Sequence, residues 1–240
     1  MALEIKFFKL NDIDLGQFTH RIRDSQKLDT GTIPNLGEEQ RQFAESELGT
    51  RIIIWEGYLS NESSYISLRK TLFDSSEKTL QLHPERKITL SSVEFEKLLD
   101  VKKPDDSKMT LTMVAADTRE YNITSKTARK TIIASPETIV ITSSGSAPTT
   151  PQWTITAAGT IINPTISDGV NRLEWFGTLN PGDVMVISKE GAVTINGVSS
   201  ESVSGSLPRA APGSTTFTFQ DDAGSSHNCT VEAVWNDAYY

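Results

Sequence analysis

The chain has a single cysteine, Cys229, so it can form neither an internal disulfide nor a cysteine-based zinc cluster. Histidine is scarce as well. His20, His83 and His227 stand far apart, and the triplet His227-Asn228-Cys229 is the nearest approach to a ligand cluster. No apolar run nears the roughly 18 residues needed to cross a bilayer. The opening MALEIKFFKLNDIDL mixes charged with apolar residues and lacks the unbroken apolar core of a secretory signal. The expectation is a protein made and kept in a cytoplasm, where the sequons at Asn61, Asn122 and Asn228 carry no meaning. Also missing are a G-x-S-x-G elbow, a phosphate-cradling glycine loop, an H-E-x-x-H helix and any repeat of fixed period.

Lysine nearly vanishes from residues 136–240, where only Lys189 remains. Residues 1–135 hold 20 Lys+Arg against 21 Asp+Glu, and residues 136–240 hold 3 against 10, so the formal net charge of −8 divides as −1 and −7. An acidic second part argues against binding a phosphate backbone, which needs clustered cations. With 37% hydrophobic and 22% charged residues, the chain has the composition of a folded, water-facing protein.

The texture also changes near Ser135. After it, Ser and Thr make up about a quarter of the residues. A domain boundary is expected between about Thr124 and Ser135, giving domains over 1–130 and 131–240. In the first, TRIIIWEGYL (Thr50 to Leu59) reads as a buried strand. A helix is predicted over about 61–75, capped by Ser60 or Asn61. Glu62 suits its positive end, Arg69 and Lys70 its negative end, and Tyr65, Leu68, Leu72 and Phe73 form one apolar stripe. In SKMTLTMVAAD, Met109, Leu111 and Met113 point one way, as on the core face of a sheet. KITLSSVEFEKLL is expected to be a strand in its first part.

The second domain is strand signal almost throughout: ETIVITS, QWTITAAG, RLEWFG, DVMVIS, AVTING, TTFTF and CTVEAVW, divided by Gly, Pro, Asn and Ser. Their spacing leaves no room for crossover helices, so antiparallel pairing in a two-sheet sandwich follows. Pro181-Gly182 and Pro212-Gly213 are turn dipeptides, and Asn196-Gly197 supplies the pair of positive φ angles of a type I′ turn. Val184, Val186, Val193 and Ile195 are expected to face the core, because a one-residue slip would turn them outward.

Little of this suggests chemistry. On a strand, His227 and Cys229 would share a face as a weak soft-metal pair, although a surface His beside a small buried Cys explains both. Asp105-Asp106 and Asp221-Asp222 read as solvated loop carboxylates, and DDAGSS as a hairpin loop without the alternating oxygen ligands of a calcium cage. Trp153, Trp175 and Trp235 could serve as sugar-stacking platforms, or simply as core. No catalytic, cofactor-binding or metal residue is assigned, and no enzyme activity is expected.

One resemblance does emerge. LNPGDVMVISKEGAVTINGV, with Leu179, Gly182, Asp183, Val193, Asn196 and Gly197, is similar to the core motif of the distal tail (Dit) proteins of long-tailed phages. SGSLPRAAPGSTTFTF matches that family's finish at Gly205, Pro208, Pro212 and Gly213. SSGSAPTTPQWTITAAGTIINPTI, RLEWFG and the closing NDAYY are also family-like. The stretch from Arg51 to His83 and MTLTMVAADTREY fit more loosely, Thr118 standing where the family has proline. The resemblance implies a mainly β chain, with an N-terminal split-barrel-like β domain carrying one α-helix and a C-terminal galectin-like antiparallel β-sandwich. It further implies a structural virion protein at the tail tip, with no cofactor: a homo-hexamer ring joining the tail tube to the tail-associated hub protein, the tape measure and the receptor-binding apparatus. DNA would pass through the ring without specific nucleic-acid binding, and no membrane insertion is expected. The alternative is a carbohydrate-binding, lectin-like host-adhesion protein.

Overall fold

The computed structural model describes residues 8–11, 13–15, 19–26, 50–59, 62–74, 77–98 and 107–240. Two compact units divide the chain, Met1–Glu120 and Tyr121–Tyr240. The fold is mainly β, its sheets antiparallel, with one helix among the described residues. Asp105, Asp106, Ser60 and Asn61 lie outside the described residues.

The first unit holds two sheets. One is built from β3 (Thr19–Gln26), β4 (Arg51–Leu59), β7 (Ser92–Leu98) and β8 (Ser107–Ala115), in the order β3-β4-β8-β7. β4 and β8 pair over their full length, from Arg51↔Ala115 to Leu59↔Ser107. Strict alternation along them sends Ile53, Trp55, Met109, Leu111 and Met113 to the core. The other sheet contains β1 (Lys9–Leu10), β2 (Ile13–Asp14), β5 (Lys78–His83) and β6 (Arg86–Leu90). It contributes Leu10, Leu80 and Ile88, and the neighbouring Phe8 ring stacks on Trp55 with centroids 6.3 Å apart. KITLSSVEFEKLL is thus strand nearly throughout, broken at Ser91, whose N–H donates to the Val114 carbonyl.

The helix α1 spans Glu62–Phe73. Leu68 is buried in the core and Leu72 packs against it. Phe73 departs from the expected stripe: it is 74% exposed, and the Arg69 guanidinium lies 5.8 Å from its ring centroid. Four residues from Arg69 on one helix face, the ring stands in solvent beside a cation instead of in the core. At the end of β4, Arg51 is buried and donates to the Thr118 carbonyl (3.2 Å) and Glu120 Oε1 (3.1 Å). The Thr118 carbonyl is therefore held by a charged donor.

The second unit is a sandwich. Its elements are β9 (Glu120–Asn122), β10 (Lys126–Ile132), β11 (Glu137–Ser143), β12 (Gln152–Ala157), β13 (Ile161–Ile162), β14 (Thr165–Ser167), β15 (Arg172–Trp175), β16 (Thr178–Leu179), β17 (Val184–Ile187), β18 (Val193–Ile195), β19 (Val198–Ser200), β20 (Val203–Gly205), β21 (Gly213–Gln220), β22 (Cys229–Trp235) and β23 (Ala238–Tyr239). One sheet runs β10-β22-β12-β17-β18-β19 and the other β11-β21-β14-β15-β20. A single core cluster joins their inner faces, among them Ile141, Trp153, Ile155, Phe217, Phe219 and Val231. Every strand expected in this half is present. β10 was not expected. It pairs residue for residue with β22, from Lys126↔Trp235 to Ile132↔Cys229.

Two expectations are corrected here. In β17 the buried residues are Met185 and Ile187, while Val184 and Val186 lie only half-buried on the outer face. The register Met185↔Ile195 and Ile187↔Val193 puts these four on one side. DVMVIS is apolar at both parities, so the pattern alone did not decide which set turns inward. The loop after β21 is not a hairpin either. β21 pairs with β11 and β14 in one sheet, whereas β22 pairs with β10 and β12 in the other, so residues 221–228 cross between sheets.

Candidate functional site

The His227 to Cys229 region is a structural corner. His227 precedes β22 and has a left-handed backbone (φ 52°), so it does not share a strand face with Cys229. Its Nδ1 lies 2.7 Å from Oδ1 of Asp221, whose side chain is fully removed from solvent. Ser135 receives the Asp221 N–H on its hydroxyl oxygen at 3.0 Å, tying the crossing loop to the start of β11. Burial pushes the Cys229 thiol up to about 12, and the charge of Asp221 adds to this. A nucleophile or soft-metal ligand needs the thiolate, which such a thiol does not supply at neutral pH. Among the described residues, no group of three or more His, Cys, Asp or Glu side chains converges as metal ligands would.

The tryptophans are core. Trp153 is 0% exposed and meets Phe217 edge-on, with centroids 4.9 Å apart and planes at 62°. Trp175 is buried and donates its indole N–H to Ser200 Oγ at 2.8 Å. Trp235 and Trp55 are buried too. Stacking a sugar needs an exposed ring face, which none of them offers.

Polar side chains bridge a sheet edge and hold the C-terminal segment. Lys126 and Lys130 stand at inward-facing positions of the edge strand β10, and Lys130 reaches over to β11, the edge of the other sheet. Lys130 Nζ donates to Glu137 Oε2 (2.6 Å) and to the Thr138 carbonyl (2.9 Å). Lys126 Nζ donates to Ser144 Oγ (2.9 Å) and lies 2.7 Å from Asp237 Oδ2. Glu137 is held below the ordinary carboxylate range, first by the Lys130 hydrogen bond and then by its charge. Inward-pointing lysines are a recognised guard against adding a foreign strand to an open edge.

The segment Asn236–Tyr240 is bound on several sides. Asn122 N–H donates to the Asp237 carbonyl (2.9 Å) and Ala147 N–H to that of Ala238 (3.0 Å). Asn236 Nδ2 donates to the Asn122 carbonyl (2.9 Å), and Lys189 Nζ to Asn236 Oδ1 (2.7 Å). Gly145 makes room for this strap: a Cβ there would sit 2.0 Å from the Ala238 carbonyl oxygen. What was legible in sequence was the closing NDAYY, but not the partners that grip it.

Together these features make a β unit whose polar side chains close sheet edges and fasten the Asn236–Tyr240 segment. The fold resembles that of a phage hub protein. In particular, the chain is similar over 98% of its length, and 99% of the other chain, to the crystal structure of the Dit protein of phage SPP1, with a TM-score of 0.60 and 13% sequence identity. That protein is described as a paradigm of the hub adsorption apparatus in Gram-positive infecting phages. No protein-family model matches the chain, and no curated protein matches its sequence.

Proposed function

We propose that the chain is a distal tail protein, a structural adaptor without enzymatic activity at the tip of a long phage tail. The observation that carries this is the likeness of fold to SPP1 Dit across nearly the whole chain. The motif series Leu179, Gly182, Asp183, Asn196, Gly197, Gly205, Pro208, Pro212 and Gly213 supports it independently. In this role six copies close into a ring. The first, split-barrel-like unit forms the ring and lines its channel, and the second, galectin-like unit projects outward. The ring joins the tail tube to the tail-associated hub protein, the tape measure and the receptor-binding apparatus. Closure pairs or covers strand edges that would otherwise invite uncontrolled association.

Mass photometry and negative-stain imaging at micromolar concentration test this, alone and beside the neighbouring tail proteins. Six-membered rings are expected. Monomers under every condition would overturn it. The lectin-like alternative has lost the observation that motivated it, because Trp153, Trp175 and Trp235 are interior. Host polysaccharide is accordingly expected to leave the tryptophan fluorescence unchanged.

A further inference from the structure

Asn11, Asn163 and Asn196 share one geometry. All three have left-handed backbones, with φ of 51°, 49° and 50°. Each donates its own N–H to a carbonyl on the facing segment: Asn11 to Thr79 (2.8 Å), Asn163 to Gly177 (2.9 Å) and Asn196 to Val184 (2.8 Å). Each then receives the N–H of that same residue on its side-chain oxygen, at 2.7 Å from Thr79, 2.9 Å from Gly177 and 2.9 Å from Val184. The side-chain amide completes a rung that a backbone carbonyl would otherwise make, and the main chain turns away. At Asn163 and Asn196 the amide N–H is also used. It donates to Asp222 Oδ2 (2.7 Å) in the first case and to Asp183 Oδ1 (2.8 Å) in the second.

Asn196 differs from the other two in its C-terminal neighbour. It begins the one Asn-Gly step in the chain, and both residues are exposed. Without a side chain, Gly197 imposes the least hindrance on an approach of its backbone nitrogen to the Asn196 amide carbon. We propose that Asn196 is a deamidation site of this chain, and that the Asp183 carboxylate holds it closed. In the reaction the Gly197 nitrogen bonds to Asn196 Cγ, the Cγ–Nδ2 bond breaks, and ammonia leaves with the proton from Gly197. Water then opens the cyclic imide at either carbonyl, giving an aspartyl or an isoaspartyl residue.

Two bonds oppose this. Val184 N–H and Asp183 Oδ1 hold opposite ends of the amide and fix its rotation. Asp183 is a true carboxylate: its Asn196 hydrogen bond, followed by the Asn180 N–H, holds it below the usual range. Once converted, a carboxylate replaces the amide donor directly against Asp183, and like charges repel. The isoaspartyl product also lengthens the main chain within a two-residue turn whose flanking pair is Ile195↔Val198. The edge formed by β18 and β19 would loosen in consequence.

The test is incubation of the full chain in warm, mildly alkaline buffer, with peptide mapping by mass and isoaspartyl detection. A synthetic peptide of residues 190–202 gives the unrestrained rate. The folded chain should react more slowly than the peptide, at Asn196. Loss of one hydrogen bond to a charged group corresponds to about tenfold, so Asp183→Ala should react about tenfold faster than the parent, with Asp183→Asn between them. Unfolding curves identify any variant that reacts only because it has unfolded; Asp183→Asn then carries the comparison. Asn196→Asp, which is one of the products, should lower the thermal midpoint by about 4 °C. Equal rates in parent and Asp183 variants, conversion mapped to another asparagine, or an unchanged midpoint in Asn196→Asp would each overturn the proposal.

Discussion

Lys126 Nζ lies 2.7 Å from Asp237 Oδ2, with the carboxylate side chain only 2% exposed and the lysine 39%. Burial by itself would raise the Asp237 carboxyl. The Lys126 hydrogen bond, the Ser144 N–H, the Lys126 charge and Ser143 outweigh it, and the group sits below its ordinary range. The pair fastens the terminal strap to the edge strand β10. Replacing Lys126 by Met should cost about 2 kcal/mol, the scale for leaving a buried charged acceptor short of a donor. A group whose folded pKa is depressed contributes stability above its unfolded pKa, about 3.9 for Asp, and loses it as pH falls through the folded value. Urea midpoints measured from neutral pH down to acid should therefore fall more steeply for the parent than for Asp237→Asn.

Cys229 should be silent to thiol reagents in the folded chain. Its sulfur is buried and its thiol is pushed up to about 12. Ellman's reagent at mildly alkaline pH should register no thiol until denaturant is added, and then one per chain, the full cysteine content. Prompt labelling of the native protein would show that the corner formed by residues 221–228 opens readily.

Met185 and Val186 are neighbours with opposite fates. Met185 is 1% exposed beneath the sandwich, while Val186 is half-buried on the outer face. Met185→Ala should cost about 2–5 kcal/mol, the range for emptying a core position. Val186→Thr should stay within about 1 kcal/mol, since a threonine suits a half-solvated strand position. Chemical denaturation of the two variants side by side checks the ordering. The reverse order would restore the valine-inward register.

That pair also marks the limit of what is legible in the residues. Turn chemistry was readable: Gly182, Asn196, Gly197 and Gly213 all have the positive φ that their turns demand. Clean alternation was readable in β8, where Met109, Leu111 and Met113 alternate with Lys108, Thr110 and Thr112. Where both parities are apolar, as in DVMVIS, the inward set depends on the partner strand, which pattern cannot name. β10 escaped notice for the opposite reason. Its inward positions include Lys126 and Lys130, whose charges are matched by Asp237, 111 residues on, and by Glu137 on the next strand. The same holds for the tryptophans and the triplet ending in Cys229: residue type suggested a platform or a ligand pair, and burial, which is a tertiary property, decided otherwise. The asparagine splices are invisible one at a time and plain once their three partners are compared.

Gly205 and Gly182 separate two demands on glycine. Gly182 has φ of 95° with open space where a Cβ would stand, so the chain asks only for conformational freedom. Gly182→Ala should cost about 1–2 kcal/mol, the penalty of a left-handed backbone for an L-residue. Gly205 has φ of 102°, and a Cβ there would lie 1.9 Å from the Arg172 carbonyl oxygen. That oxygen also accepts the Ser206 N–H, and β20 pairs with β15 there, Leu173 facing Gly205, so the backbone cannot retreat without breaking the ladder. Gly205→Ala should therefore cost well over the strain alone, above about 3 kcal/mol, and expose the edge of β15. Thermal unfolding of both variants, with hydrogen exchange at Phe176, whose N–H donates to the Ser202 carbonyl (2.8 Å), distinguishes the cases. Equal losses would mean that strain rather than the collision governs both sites.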